Sequence, residues 1–194
     1  TRLVSSGQQL LRVDWETTRP VTGEVEQRLV RTIRDAAKDA GAILLSDYGK
    51  GVVTDAVIAA AREAAAESGG KLVVDSKARS FARYGAVDMI KLNAAELGHA
   101  TDLPTETDAE GEAALERALD LWEARAILVT RASKGISLAV RGGPVRHFPT
   151  LAREVFDASG AGDTTLAALG LALAAEVGIE DAIAFAQLAS GVAV

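Results

Sequence analysis

The stretch from Glu154 to Ala175, EVFDASGAGDTTLAALGLALAA, places small residues between two aspartates, directly before an apolar helix. Gly160, Ala161 and Gly162 lie at the predicted helix start, where backbone N–H groups and the positive end of the helix dipole favour an anion. Asp163 follows in the first turn, where the same dipole stabilises its carboxylate. An anion hole beside a carboxylate suits phosphoryl transfer to a hydroxyl, with the carboxylate accepting the proton. An ordinary glycine-rich helix cap explains the same spacing.

Two other nucleotide-binding motifs are excluded. The chain contains no Gly-x-x-x-x-Gly-Lys-Ser/Thr string, which a Walker-type loop requires. The segment SGAGDTT also lacks the Gly-x-Gly-x-x-Gly spacing of a dinucleotide fingerprint. The candidate anion site is therefore of a different type from both.

Polar residues follow each predicted buried strand. They are residues 46–51 after AILL, 75–77 after KLVV, 93–96 after DMIKL and 130–135 after AILV. Because ligands of open α/β sheets bind at the carboxyl ends of the strands, we expect these groups to share one rim. Each group taken alone is also compatible with a solvated turn.

The hydrophobic pattern predicts the elements that hold these residues. We predict a β ribbon over 1–16, buried strands at 42–45, 71–75, 87–93 and 126–130, and an antiparallel hairpin around Gly142-Gly143. Helices are predicted over 24–40, 54–68, 107–124, 161–175 and 180–194, with a short one after Asn93. Continuous apolar strands alternating with amphipathic helices indicate one α/β domain with a parallel sheet covered on both faces.

The composition favours small-molecule chemistry. The net charge of -6 argues against nucleic-acid and anionic-membrane partners, and no apolar run is long enough to span a membrane. The absence of cysteine excludes disulfides, thiolate catalysis and cysteine-ligated metals, and suits a reducing cytoplasm. His99 and His147 are interpreted as surface or packing residues. We expect a cytoplasmic protein.

The segment DASGAGD resembles the Asp-Thr-Thr-Gly-Ala-Gly-Asp signature of the ribokinase-like (PfkB) carbohydrate kinases, and NAAE resembles their Asn-x-x-Glu motif. Within that family, SSGQQLLRVDWE, LLSDYGKGVVT, VDSK and REVFDASGAGDT look most like the kinase domain of bacterial heptose 7-phosphate kinases. The similarity covers essentially the whole chain. It implies a three-layer α/β/α fold with a mostly parallel central sheet, a C-terminal antiparallel hairpin and a remnant of a β lid. The lid-like ribbon would span 1–20 and the α/β core 21–194, with the family's N-terminal part absent.

The resemblance also implies a site. Asp163 would be the catalytic base and Gly160, Ala161 and Gly162 the anion hole. The nucleotide would be bound by Asn93, Thr130, Lys134, Gly135 and Gln187. Glu96 would hold Mg²⁺ through water, and Asp157 with Ser159 would hold a monovalent cation such as K⁺. A turn-capping aspartate is the alternative at Asp157.

For the sugar, the resemblance implies Arg12 and Asp14 of the lid, together with Lys50 and Lys77. A cross-strand charge pair explains Arg12 and Asp14 equally well, and single lysines are often surface solubilisers. The chain departs from the family pattern at Ala132, where glycine is common, and at Gln187, where asparagine is usual. The string DSKARS also differs from the Asp-Pro-Lys-Gly of the heptose enzymes.

The implied reaction is ATP-dependent, Mg²⁺-assisted phosphorylation of a sugar hydroxyl. The acceptor that the resemblance favours is heptose 7-phosphate, which would be converted to the 1,7-bisphosphate for lipopolysaccharide core precursors. The alternatives are a kinase for fructose, a fructose phosphate, ribose or a nucleoside, and a non-catalytic nucleotide-binding relative. A lid made from one ribbon has an exposed edge, and we therefore expect a homodimer through the lid. The resemblance further implies a fused nucleotidyltransferase domain in the longer protein.

Overall fold

The computed structural model describes residues 1–5, 8–78, 80–150 and 160–193. Strands β1 (Arg2–Ser5) and β2 (Gln8–Arg12) pair antiparallel and form a separate two-stranded ribbon. The remaining strands are β3 (Ala42–Asp47), β4 (Lys71–Ser76), β5 (Val87–Asn93), β6 (Ala124–Thr130), β7 (Ile136–Val140) and β8 (Arg146–Phe148). The helices are α1 (Gly23–Ala36), α2 (Asp55–Ser68), α3 (Ala94–Thr101), α4 (Asp108–Leu121), α5 (Ala161–Ala174) and α6 (Ile179–Ala193).

The main sheet follows the chain order from β3 to β8. Strands β3 to β6 pair in parallel, and β7 and β8 are added antiparallel. The register sets Asp47 opposite Ser76, Asp75 opposite Lys91, and Asn93 opposite Thr130. The carboxyl ends of the four parallel strands therefore meet at one edge, as the strand-end polar residues predict.

Hydrophobic side chains cover both faces of this sheet. Along β4, Leu72 and Val74 pack in the cluster that contains residues of α2, α3 and α4, whereas Val73 packs in the cluster that contains residues of α5 and α6. This alternation is the period-two geometry of a strand, and it explains why the strands are apolar on both faces. Lys91, two residues after Met89 on β5, points to the face covered by α5.

The predicted fold class is confirmed: helices cover both faces of a mostly parallel sheet, with an antiparallel C-terminal hairpin turning at Gly142 and Gly143. Helix α1 ends at Ala36 rather than at residue 40, because residues 37–39 form a turn in which the N–H of Ala40 donates to the Ala37 carbonyl. Within the described part of the chain, no helix combines the length and apolar character needed to cross a membrane.

Candidate active site

Helix α5 begins without a side-chain cap among the described residues. Its N-cap is Gly160, whose φ of 88° lies in the left-handed region that glycine adopts most readily. The first helical backbone hydrogen bond runs from Thr164 N–H to the Gly160 carbonyl. The N–H groups of Ala161, Gly162 and Asp163 precede that bond and have no acceptor within the helix. The helix start can therefore bind an anion through its backbone.

A buried ammonium lies directly beneath this helix start. A Cβ atom added to Gly162 would lie 3.1 Å from Lys91 Nζ, so the lysine fills the space that a side chain would need. Lys91 is 3% exposed, and its Nζ donates to Asp75 Oδ2 at 2.6 Å. Its positive charge adds to that of the helix dipole at the place where an anion would bind.

Asp163 follows in the first turn of α5 and is exposed. The phenol of Tyr48 lies 3.0 Å from Asp163 Oδ1 and 2.9 Å from Oδ2, and donates a hydrogen bond to the carboxylate. This hydrogen bond, with the negative charge of Asp163, raises the pKa of Tyr48, so the phenol keeps its proton. Asp163 is thus already in hydrogen-bond contact with a hydroxyl group.

The strand end that carries Tyr48 is held by a buried network. Asp47 is buried, and its Oδ1 accepts from the N–H of Gly49 at 2.8 Å. The Tyr84 hydroxyl lies 2.7 Å from Asp47 Oδ2 and 2.6 Å from Ser76 Oγ. Since one hydroxyl carries one proton, Tyr84 donates to the carboxylate and accepts from the serine. Burial raises the pKa of Tyr84, which therefore stays neutral.

Asn93 and Glu96 form a reciprocal cap at the start of α3. Asn93 Oδ1 accepts from the Glu96 N–H at 2.9 Å, and Glu96 Oε2 accepts from the Asn93 N–H at 2.8 Å. The other oxygen, Oε1, pairs with Lys77 Nζ at 2.5 Å. Burial opposes the charge on Lys77, but the pairing with Glu96 outweighs it and raises the pKa of the lysine. Both Glu96 oxygens therefore have partners within the protein.

An open cleft of about 1250 Å³ lies between the strand ends and the helices α5 and α6. Its lining includes every predicted nucleotide residue, namely Asn93, Thr130, Lys134, Gly135 and Gln187. Lys77, Lys91, Ala161 and Gly162 also line it, so the cleft runs to the start of α5. Cations and backbone N–H groups are thereby brought to the same end of the cleft, which suits a polyphosphate.

Two residues of the cleft wall show why particular side chains stand there. At Gly135, φ is +84° and an added Cβ would lie 2.0 Å from the Phe148 carbonyl oxygen, so only glycine fits. Gln187 Nε2 donates to the carbonyls of Phe148 and Pro149, at 3.4 and 3.0 Å, and ties α6 to the end of β8. In this structure the Gln187 amide nitrogen therefore binds backbone carbonyls in the wall of the cleft.

Only one of the four residues predicted to bind the sugar lines the cleft. Lys77 lines the cleft, whereas Arg12, Asp14 and Lys50 are not among its lining residues. Arg12 Nη2 pairs with Asp14 at 2.8 Å, so the two residues form the charge pair, but within one chain segment rather than across the strands. Lys50 pairs with Glu16. Asp157 and Ser159 lie outside the described residues.

Lys91 is the site residue that sequence reasoning missed. A charged residue within the otherwise apolar strand VDMIKLN is itself a signal, because lysine is almost never fully buried without a partner. The sequence pattern predicts its partner, Asp75, only as one of several polar residues at a strand end. The role of Tyr48 beside Asp163 left no comparable signal.

A model of the pfkB family of carbohydrate kinases matches residues 3–194. The chain is 48% identical over 193 residues to the bifunctional protein HldE of Hyphomonas neptunium, and 44% identical over 194 residues to that of Azorhizobium caulinodans. Each match covers 100% of this chain and 40% of the relative, so the chain spans less than half of these proteins.

Solved structures with the same architecture are also similar. Ribokinase of Arabidopsis thaliana, complexed with ribose and ATP, has a TM-score of 0.70 and 25% identity over 84% of this chain and 51% of that one. Phosphofructokinase-2 of Escherichia coli, in complex with potassium, has a TM-score of 0.75 and 18% identity over 96% of this chain and 60% of that one. The latter likeness supports the fold alone.

Proposed function

Because the chain belongs to the pfkB family of carbohydrate kinases, we propose that it transfers the γ-phosphoryl group of ATP to a sugar hydroxyl, with Asp163 as the general base. One observation carries this proposal. Ala161 and Gly162 line the cleft, and the next residue, Asp163, accepts a hydrogen bond from a hydroxyl group. The phosphate end of the cleft and a carboxylate able to accept a hydroxyl proton therefore meet at the start of α5.

The proposed step is an in-line displacement. The sugar hydroxyl oxygen forms a bond to the γ-phosphorus while its proton passes to Asp163, and the bond from that phosphorus to the β,γ-bridging oxygen breaks to release ADP. The N–H groups at the start of α5 and the ammonium of Lys91 stabilise the charge on the phosphoryl oxygens. The ammonium of Lys91 is held in place before the reaction begins, because it donates a hydrogen bond to Asp75.

The proposed ligands follow from the same residues. ATP would lie along the cleft, with Thr130 and Gly135 beside its phosphates and Gln187 towards the base. Mg²⁺ would be held near Glu96 through water, and it would neutralise charge on the phosphates. The proposal of a monovalent cation at Asp157 and Ser159 comes from the resemblance alone. The ATP named for the ribokinase complex supports the nucleotide proposal.

Heptose 7-phosphate, converted to the 1,7-bisphosphate, is the proposed acceptor. The support is the similarity of the SDYGKG and VDSK segments to the heptose kinases, and Lys77 is placed at the cleft with a charge able to meet a sugar phosphate. Arg12, Asp14 and Lys50 do not line the cleft, and their contact with the sugar is proposed from the resemblance alone.

The proposed partners concern the longer protein. A fused nucleotidyltransferase domain is supported by the description of the relatives as bifunctional and by the 40% of their length that this chain spans. A homodimer through the ribbon is supported by its exposed apolar side chains: Leu3, Val4, Leu10 and Leu11 are each half or more exposed.

The test is ADP release by the full-length protein with ATP, Mg²⁺ and K⁺. The acceptors are heptose 7-phosphate, fructose phosphates, ribose and adenosine. Selective turnover of the heptose supports the proposal, and turnover of another acceptor keeps the kinase but replaces the substrate. ATP binding without turnover of any acceptor would favour the non-catalytic alternative.

A further inference from the structure

The side chain of Tyr48 occupies the position that an acceptor must reach. A general base has to lie within about 2.6–3.2 Å of the oxygen whose proton it takes. The Tyr48 hydroxyl lies 2.9 and 3.0 Å from the two oxygens of Asp163, and it presents its proton to them. A sugar hydroxyl would have to make this same contact before transfer.

Tyr48 is built on a fixed backbone but has a side chain that can move. Asp47, the preceding residue, is 4% exposed and is held by Tyr84 and by the Gly49 N–H. Tyr48 itself is 52% exposed, and its hydroxyl contacts Asp163 across 115 residues of chain. Rotation of the exposed ring can therefore break the contact with Asp163 while the buried network below it stays intact.

We propose that the Tyr48 hydroxyl occupies the position on Asp163 where an acceptor hydroxyl must bind. It keeps water out of that position until a sugar hydroxyl displaces the phenol. Tyr48 is thereby a determinant of the choice between sugar and water as acceptor. This inference rests on the proposed function, because it takes Asp163 as the base.

The competing reaction defines what Tyr48 prevents. A water molecule on Asp163 would form a bond from its oxygen to the γ-phosphorus and give its proton to Asp163, and cleavage of the bridging bond would release ADP and phosphate. Tyr48→Phe keeps the aromatic ring but removes the hydroxyl that holds this position. Water can then hydrogen-bond to the carboxylate in its place.

The experiment compares ADP release by the full-length protein with and without a saturating acceptor. In Tyr48→Phe, we expect the ratio of acceptor-independent to acceptor-dependent release to rise about tenfold, the scale of one lost hydrogen bond to a charged group. The KM of the sugar should fall, because the sugar no longer displaces a phenol. Tyr84→Phe is the matched control, since its hydroxyl contacts Asp47 and Ser76 but not Asp163. It should lower thermal stability and leave the ratio unchanged.

Three results would overturn the inference. An unchanged ratio in Tyr48→Phe removes the hydroxyl from acceptor choice, and an equal fall in both rates makes Tyr48 a positioning residue for Asp163. An equal rise in Tyr84→Phe attributes the effect to a loosened loop. If the wild-type protein shows no acceptor-dependent ADP release with any sugar, the proposed function fails first, which is distinct from acceptor-dependent release with an unchanged ratio.

Discussion

Lys91 Nζ lies 2.6 Å from Asp75 Oδ2, and the two side chains are only 4% and 7% exposed. The residues stand opposite each other on the neighbouring strands β4 and β5, on the sheet face that α5 covers. The ammonium of Lys91 therefore lines the cleft directly beneath Gly162. Asp75 compensates the burial of the ammonium, which keeps a positive charge at the start of the helix.

Lys91→Met should destabilise the protein, because it leaves the Asp75 carboxylate buried without its partner. Breaking a buried pair in this way costs about 3–5 kcal/mol. The double variant Lys91→Met/Asp75→Asn removes both charges and should recover most of this loss, as measured by urea unfolding. A double variant no more stable than the single one would mean that the unpaired charge is not the cause.

Ala132→Gly should stabilise the protein. Ala132 has φ of +50° in the turn between β6 and β7, and an L-residue held in the left-handed region is strained by about 1 kcal/mol or more. Ala132 is exposed, so loss of its methyl group removes no core packing. We expect an increase of about 0.5–1 kcal/mol in the free energy of unfolding. A decrease would show that Ala132 is not strained.

Asp108→Asn should lower the melting temperature in a pH-dependent way. Arg131 Nη2 lies 2.6 Å from Asp108 Oδ1, and hydrogen bonding to this arginine holds the pKa of Asp108 below its ordinary value of 3.8. Because the folded-state pKa is the lower one, the contribution of Asp108 is present above pH 3.8 and is lost as the pH falls through the folded-state value. At pH 7 the wild type should have a higher melting temperature than the variant. This difference in melting temperature should shrink below about pH 4. A difference that is constant with pH would contradict the ion pair.

The local parts of this fold could be predicted from the sequence. The strands, the helix α5 and the polar strand ends depend on hydrophobic periodicity and on residues close together in the chain. The start of α5 was predictable for the same reason, because Gly160 to Asp163 are consecutive and the properties of a helix start are general.

The contacts that complete the site could not be predicted in this way. Tyr48 and Asp163 are 115 residues apart, and Lys91 and Asp75 are brought together by strand register rather than by spacing. Arg12 pairs with Asp14 within one chain segment rather than across the ribbon, because the two side chains reach each other over two residues. Each case depends on three-dimensional packing, which one sequence does not specify by pattern alone.

Asp163→Asn in the full-length protein tests whether Asp163 accepts the proton of the sugar hydroxyl. The measurement is kcat for ADP release with the preferred sugar, together with ATP affinity. Asp181→Asn, an exposed acid in the first turn of α6, is the matched control and should behave as wild type. We expect Asp163→Asn to fold and bind ATP while kcat falls about 10²-fold or more, the scale of a lost general base. An unchanged kcat in Asp163→Asn would remove Asp163 from the mechanism.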